Sequence, residues 1–190
     1  MKIPFSMKQL ILVLMVAGFA CSGNSFYSDQ TEAFLSYARQ MQAKYKVPRK
    51  DYAIVIDYRQ SIATPRLHLL DMKAGKSILS CRVAHAWNSG TLYATEFSNI
   101  KGTNMSCKGN FITLGTYHGG FGYSMQVEGL DKGINDRARE RAIIFHSNKK
   151  MLTQWSWGCF ATDEDVNNRL INLTKGGCLV SVIDGEWEGK

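Results

Sequence analysis

The run Tyr52-Ala53-Ile54-Val55-Ile56-Asp57-Tyr58, followed after a polar break by Arg66-Leu67-His68-Leu69-Leu70-Asp71-Met72, decides the fold class of this chain. Both runs are short, apolar and bounded by turn-forming residues, which is the pattern of strands rather than helices. Lys73-Ala74-Gly75-Lys76 is a turn, and Ser77 to His85 returns as a third strand, so the three read as a β-meander. His68, alternating with Leu67 and Leu69, is expected on the exposed face of its strand.

Strand signals continue towards the C-terminus. Phe111-Ile112-Thr113-Leu114-Gly115 and Tyr123-Ser124-Met125-Gln126-Val127 are strand-like and set among Gly109, Gly119, Gly120, Gly122 and Gly129. Ala142-Ile143-Ile144-Phe145-His146 reads as a buried strand ending in a histidine, and Cys178-Leu179-Val180-Ser181-Val182-Ile183 as the last strand. Helices are few. Phe34, Leu35, Ala38, Met41 and Tyr45 share one helical face between Thr31 and Tyr45, which predicts an amphipathic helix lying as a lid on a sheet. Asn135 is expected to cap a short helix through Arg141. Thr162, with Asp165 three residues on, is expected to open another, ended by Gly176-Gly177. The expectation is a mainly β domain with two or three peripheral helices.

The 190 residues are 45% hydrophobic and 21% charged, with only 3 Pro and no low-complexity tract, so one compact domain is the simplest partition and a disordered chain is excluded. The net charge of +7 comes from scattered Lys and Arg with no basic run of five, which reads as solvated surface and not as a nucleic-acid interface. At the N-terminus, Lys2 and Lys8 precede the uncharged stretch Leu10 to Ala20. That stretch falls well short of the roughly 20 residues that span a bilayer. With small residues Gly18 and Ala20 at its end it reads as a secretory signal peptide over residues 1–20. Cys21 follows directly, so the chain is expected to be exported to the periplasm or cell envelope, either membrane-anchored through a lipidated Cys21 or simply secreted. The predicted organisation is therefore 1–20 signal peptide, 21–50 N-terminal helical segment and 51–190 β-rich main domain.

Export usually means an oxidising compartment. Cys81, Cys107, Cys159 and Cys178 could form two disulfides; if one is a reactive thiol, at most one bridge remains. No spacing resembles a zinc site and the four His are dispersed, so no metal site is expected. The chemistry concentrates in His146 and in Ser156-Trp157-Gly158-Cys159. A histidine ending a buried strand has a fixed backbone and can project its imidazole into a cleft as a general base. Gly158 permits close backbone approach at a bend running towards a helix start, where amide N–H groups could lower a thiolate pKa or hold an oxyanion. Nucleophile, base and donors make a cysteine acyl-transfer site. As bare pattern, one Cys and one His thirteen positions apart is more often a buried structural cysteine and a core histidine.

Phe145-His146 followed by Ser156-x-Gly158-Cys159 resembles the active-site motif of the L,D-transpeptidase catalytic domain, or YkuD-like, family. The likeness extends over Val83-Ala84-His85-x-x-x-Ser89-Gly90, Phe97-Ser98-Asn99, Gly109-Asn110-Phe111-x-Thr113, Tyr117-x-Gly119, Gly122-Tyr123-Ser124, Glu128-Gly129-Leu130-Asp131-x-Gly133-x-Asn135-Asp136 and Ala138-x-x-Arg141, and looks closest to the secreted murein L,D-transpeptidase branch. The resemblance implies a YkuD-like β-sandwich with Cys159 as nucleophile, His146 as base, Gly158 and Cys159 N–H groups as oxyanion donors, and Ser156 setting the loop. It also implies peptidoglycan stem peptides as partners and no cofactor. The acyl group taken from the stem would pass to an amine, giving L,D-transpeptidation, or to water, giving an L,D-carboxypeptidase or amidase; a non-catalytic wall-binding lipoprotein is the rival from another class. His85, Trp157 and Arg141 are candidate substrate-binding residues, Arg141 with the alternative of pairing to Asp136 or Glu140. His118, beside Gly119-Gly120, is expected at the surface or the substrate edge. Three positions differ from the common family pattern: a short stretch from Ser147 to Trp155, Trp157 in place of His, and Ala161 in place of Arg.

Overall fold

The computed structural model describes residues 22–148 and 155–185, with side chains from residue 29 onward. The expected signal peptide and Cys21 lie outside the described residues. Helix α1 (Ser22–Lys44) leads into strands β1 (Tyr52–Asp57), β2 (Leu67–Asp71) and β3 (Lys76–Cys81), then the short β4 (His85–Ala86). The long hairpin β5 (Gly109–Gly119) and β6 (Gly122–Gly129) follows, then β7 (Ile144–Ser147), β8 (Trp155–Ser156), β9 (Phe160–Thr162), helix α2 (Glu164–Thr174) and β10 (Leu179–Ile183). Eight strands form one curled sheet in the order β3-β2-β1-β10-β5-β6-β7-β9, and β4 pairs with β8 in a separate ribbon.

The meander β1 to β3 is antiparallel as its sequence predicts, but β10 lies beside β1 in parallel and separates it from β5. Both faces of the central strands are covered. Ile54 and Ile56 of β1 and Val180 and Val182 of β10 join the core that also holds Leu170 and Ile171 of α2. Ala53 and Val55, with Leu179 and Ile183, join a second core beneath Phe34, Leu35 and Ala38 of α1. That double burial is why β1 is written as an unbroken apolar run instead of an alternating one. It also corrects the expectation for His68: its face of β2 is covered by α1, and the imidazole packs on Phe34 with ring centroids 5.1 Å apart.

The segment after Asp131 forms turns, not the expected short helix. Asn135 is no cap. Its side chain is fully buried, accepts from the Asp131 N–H at 2.9 Å and donates to the carbonyls of Lys108 and Asn110, each at 2.9 Å. Asp131 in turn accepts from the Asn110 N–H at 2.6 Å and from the Tyr45 hydroxyl just beyond α1. A side chain committed to two carbonyls 27 and 25 residues away, as well as to an N–H four residues back, holds a loop against a sheet, where a cap would serve only its own helix. Gly129 is part of the same knot, since a Cβ there would sit 1.9 Å from the Asn135 carbonyl oxygen. The second helix starts later than expected: Thr162 belongs to β9, Asp163 occupies the cap position, and Glu164 and Asp165 form an acidic first turn.

Candidate active site

The knot fixes the loop that leads into β7, and β7 carries His146. Strand β9 runs parallel beside β7, with Phe145 opposite Phe160 and His146 opposite Ala161. Phe145 and Phe160 point into the core, where Phe160 packs on Phe145 at 4.8 Å and edge-on to Phe111 at 5.6 Å. Cys159 precedes Phe160 and so stands level with Ile144. Alternation along the two strands then sets Cys159 and His146 on the face opposite the phenylalanines.

His146 is nearly buried, and its ring stacks on Phe121 at the tip of the β5–β6 hairpin, with centroids 4.4 Å apart. Nδ1–H donates to the Ser147 carbonyl at 2.9 Å, and among the described residues Nε2 has no hydrogen-bond partner. The imidazole is thereby held in the tautomer whose free nitrogen can take up a proton. Burial pulls its pKa below the usual histidine value, partly offset by the bond to the Ser147 carbonyl. Cys159 is half-buried, with Sγ 3.5 Å from the Ala142 carbonyl oxygen. Burial pushes its pKa up, while the Ile144 backbone N–H and the Arg141 guanidinium pull it down. The two shifts favour a neutral thiol and a neutral imidazole on neighbouring strands.

The bend before Cys159 is built by Ser156 and Gly158. Ser156 Oγ donates to the Cys159 carbonyl at 2.8 Å and accepts from the Gly158 N–H at 3.1 Å. The Gly158 N–H is thus occupied within the loop. The Cys159 N–H has no partner among the described residues and is the open donor at the bend. Helix α2 begins at Glu164, beyond β9, so the helix start is not at the sulfur and the positive group beside it is Arg141 instead.

Gly158 adopts φ +128°, and a Cβ there would lie 2.8 Å from Ile143 Cδ1 and 3.1 Å from the Met105 carbonyl oxygen. Gly158→Ala is therefore expected to lower stability by about 1–3 kcal/mol and to slow alkylation of Cys159 by iodoacetamide. An unchanged melting temperature with unchanged alkylation would contradict this reading of the bend.

The remaining predicted residues separate. Trp157 is 79% exposed beside Cys159, and Trp87, after β4, meets Trp155 of β8 edge-on at 4.7 Å. Arg141 pairs with neither Asp136 nor Glu140; Glu140 is taken by Arg137. Its guanidinium donates to the carbonyls of Ser98 and Met105. Ala161, where the family pattern has Arg, is buried against Ala84 and presents no side chain to the surface. His118 is exposed on the hairpin and stacks on Tyr123 at 5.1 Å. The four described cysteines are free thiols, with Cys107 and Cys178 buried and Cys81 half-buried. Among the described residues no cluster of His, Cys, Asp or Glu is placed to hold a metal ion.

His85 is set inside the protein, where no substrate reaches it without rearrangement. It pairs with Arg66 Nη2 through Nδ1 at 3.0 Å and with the Gly90 carbonyl through Nε2 at 2.8 Å, so Nε2 carries the proton and the ring is neutral. Burial, with the nearby Arg66 cation adding to it, holds its pKa down at about 4. The unfolded chain takes up this proton near pH 6.5, so the native state keeps its full advantage above that pH and loses it as pH falls towards 4, by about 3 kcal/mol at the end of the window. Urea unfolding at pH 7 and pH 4.5 tests this. His85→Gln, which can keep both hydrogen bonds without titrating, should lose less stability on acidification than wild type; parallel losses would contradict it.

The sequence matches the model of the L,D-transpeptidase catalytic domain family over residues 24–182, and the chain belongs to that family, whose members act on peptidoglycan. No curated protein matches it. Among solved structures, an L,D-transpeptidase from Mycobacterium smegmatis aligns at 11% identity over 70% of this chain and 59% of that one, TM-score 0.45. An L,D-transpeptidase from Stackebrandtia nassauensis aligns at 15% identity over 75% and 59%, TM-score 0.45. Bd1075 from Bdellovibrio bacteriovorus aligns at 14% identity over 71% and 48%, TM-score 0.46. The chain thus spans about half to three-fifths of the length of these structures.

Proposed function

We propose that the protein is an exported cysteine L,D-transpeptidase acting on peptidoglycan stem peptides, with Cys159 as nucleophile and His146 as base. The observation that carries this reading is the His146 imidazole, locked by the Ser147 carbonyl with Nε2 unpartnered among the described residues, on the strand beside Cys159. As Sγ attacks the carbonyl between the L- and D-centres of the stem peptide, the thiol proton passes to Nε2. The oxyanion is met by the Cys159 N–H. The C–N bond then breaks, Nε2 returns the proton to the departing D-amino acid, and a thioester is left on Cys159. An amine of a second stem attacks that thioester, gives its proton to Nε2, forms the new amide and releases the thiol, to which the proton returns. Ser156 holds the bend, and Trp157 and Phe121 line the approach to the sulfur.

Incubation with tetrapeptide muropeptides tests the assignment. Cross-linked dimer that grows with added amine acceptor, together with released D-amino acid, supports the transferase. Released D-amino acid without dimer selects hydrolysis by the same acyl-enzyme, and binding with neither product selects the wall-binding alternative.

A further inference from the structure

Arg141 contacts no carboxylate among the described residues. Its acceptors are the carbonyls of Ser98 and Met105 and the Cys107 thiol, 2.7 Å from Nη1. All three are neutral, because burial raises the Cys107 pKa to about 11. Nη2 lies 3.5 Å from where a Gly158 Cβ would stand, one residue from Cys159. An uncompensated guanidinium is thus pinned beneath the bend by groups that hold it in place without cancelling its charge. Among the described residues, the groups that could become anions around it are Cys107, fully buried, and Cys159, which reaches solvent; the other titratable groups around Cys159 are Tyr58, which feels its charge, and His146 on the neighbouring strand.

We propose that Arg141 is a positioning residue for Cys159: it clamps the 98–107 segment under the Gly158 bend and presents a fixed positive charge that favours the thiolate as the sulfur gives up its proton. This rests on the reading of Cys159 as nucleophile. A salt bridge would have neutralised the charge, and a mobile surface arginine would have been screened by water. Substrate binding is not required of it, since its donors are already engaged.

The test is the pH dependence of Cys159 alkylation by iodoacetamide, followed by mass spectrometry of the Cys159 peptide, which needs no substrate. Arg141→Gln, which retains amide donors for the carbonyls, should move the alkylation midpoint up by about one unit or more, because a nearby opposite charge shifts a thiol by about 1–3 units; the rate at pH 7 should fall about tenfold. Arg141→Lys should recover most of that rate, and kcat of the Gln variant should fall with KM little changed. Cys107→Asp provides a second route that leaves the arginine in place: its carboxylate would neutralise the guanidinium and should also slow alkylation several-fold. Unchanged midpoints in Arg141→Gln and Cys107→Asp overturn the proposal. If Arg141→Gln does not fold, Cys107→Asp decides alone by the same two outcomes. Normal alkylation shifts in a protein that makes no acyl-enzyme would leave the arginine's role standing and remove the transpeptidase reading.

Discussion

His146→Ala should acylate about 10²- to 10⁴-fold more slowly than wild type while folding normally, because general-base assistance is worth that much when the nucleophile is a neutral thiol. Burial raises the Cys159 pKa and lowers that of His146, so near neutral pH the sulfur carries its proton and the imidazole is ready to receive it. A preformed thiolate–imidazolium pair would instead leave a large reactive fraction to be lost or kept with pH. The wild-type rate should therefore rise with pH as His146 loses its proton below the usual histidine range, then stay level through neutrality. Stopped-flow acylation by a carbapenem measures it. A His146→Ala rate within threefold of wild type would mean that Cys159 does not use this base.

Asn135→Ala should destabilise the protein by about 3–5 kcal/mol, a loss that an exposed helix cap could not produce. The substitution leaves the Asp131 N–H and the Lys108 carbonyl without this partner at a largely buried site, while the Asn110 carbonyl keeps the Leu130 N–H at 2.8 Å. Each such orphan costs about 1–3 kcal/mol. Asn135→Asp, which keeps the acceptor but turns a carboxylate oxygen onto the Lys108 and Asn110 carbonyls, should lose at least as much as the alanine variant. Urea unfolding gives the comparison, and a loss below 1 kcal/mol for the alanine variant would contradict the knot. Because the knot sets the entry to β7, the surviving folded fraction should also show a less reactive Cys159.

Strand content was readable because β1, β2, β7 and β10 are short apolar runs between breakers, and that signal depends only on local sequence. Their neighbours were not. The parallel placement of β10 between β1 and β5 depends on which two faces each strand must bury, and a run such as Ala53-Ile54-Val55-Ile56 records that both are buried without saying by what. His68 reads as exposed for the same reason, since alternation marks two faces without showing that α1 covers one of them. Asn135 reads as a cap because Asn before a helical stretch has a local use, whereas the carbonyls it holds, on Lys108 and Asn110, lie 27 and 25 residues away.

At the candidate site, Cys159, His146, Ser156 and Gly158 were legible as a motif, and the structure sets them around one bend and two adjoining strands. The Ser147 carbonyl was not, because a backbone acceptor leaves no mark in side-chain identity. Phe121 had a faint signal in the Gly119-Gly120-x-Gly122 tip, which marks a hairpin that must turn tightly but not the histidine it covers. Arg66 gave none, because an arginine opening a strand looks like surface; here it is fully buried, stacked on Tyr58 and bonded to His85.

The most direct test of the account is the intact mass of the protein after incubation with a tetrapeptide muropeptide or a carbapenem, compared between wild type and Cys159→Ala. Wild type should gain one acyl group, located by peptide mapping on Cys159 and not on Cys81, Cys107 or Cys178, and Cys159→Ala should gain none. A wild-type protein that binds muropeptide as well as Cys159→Ala and is never acylated would contradict the enzyme reading.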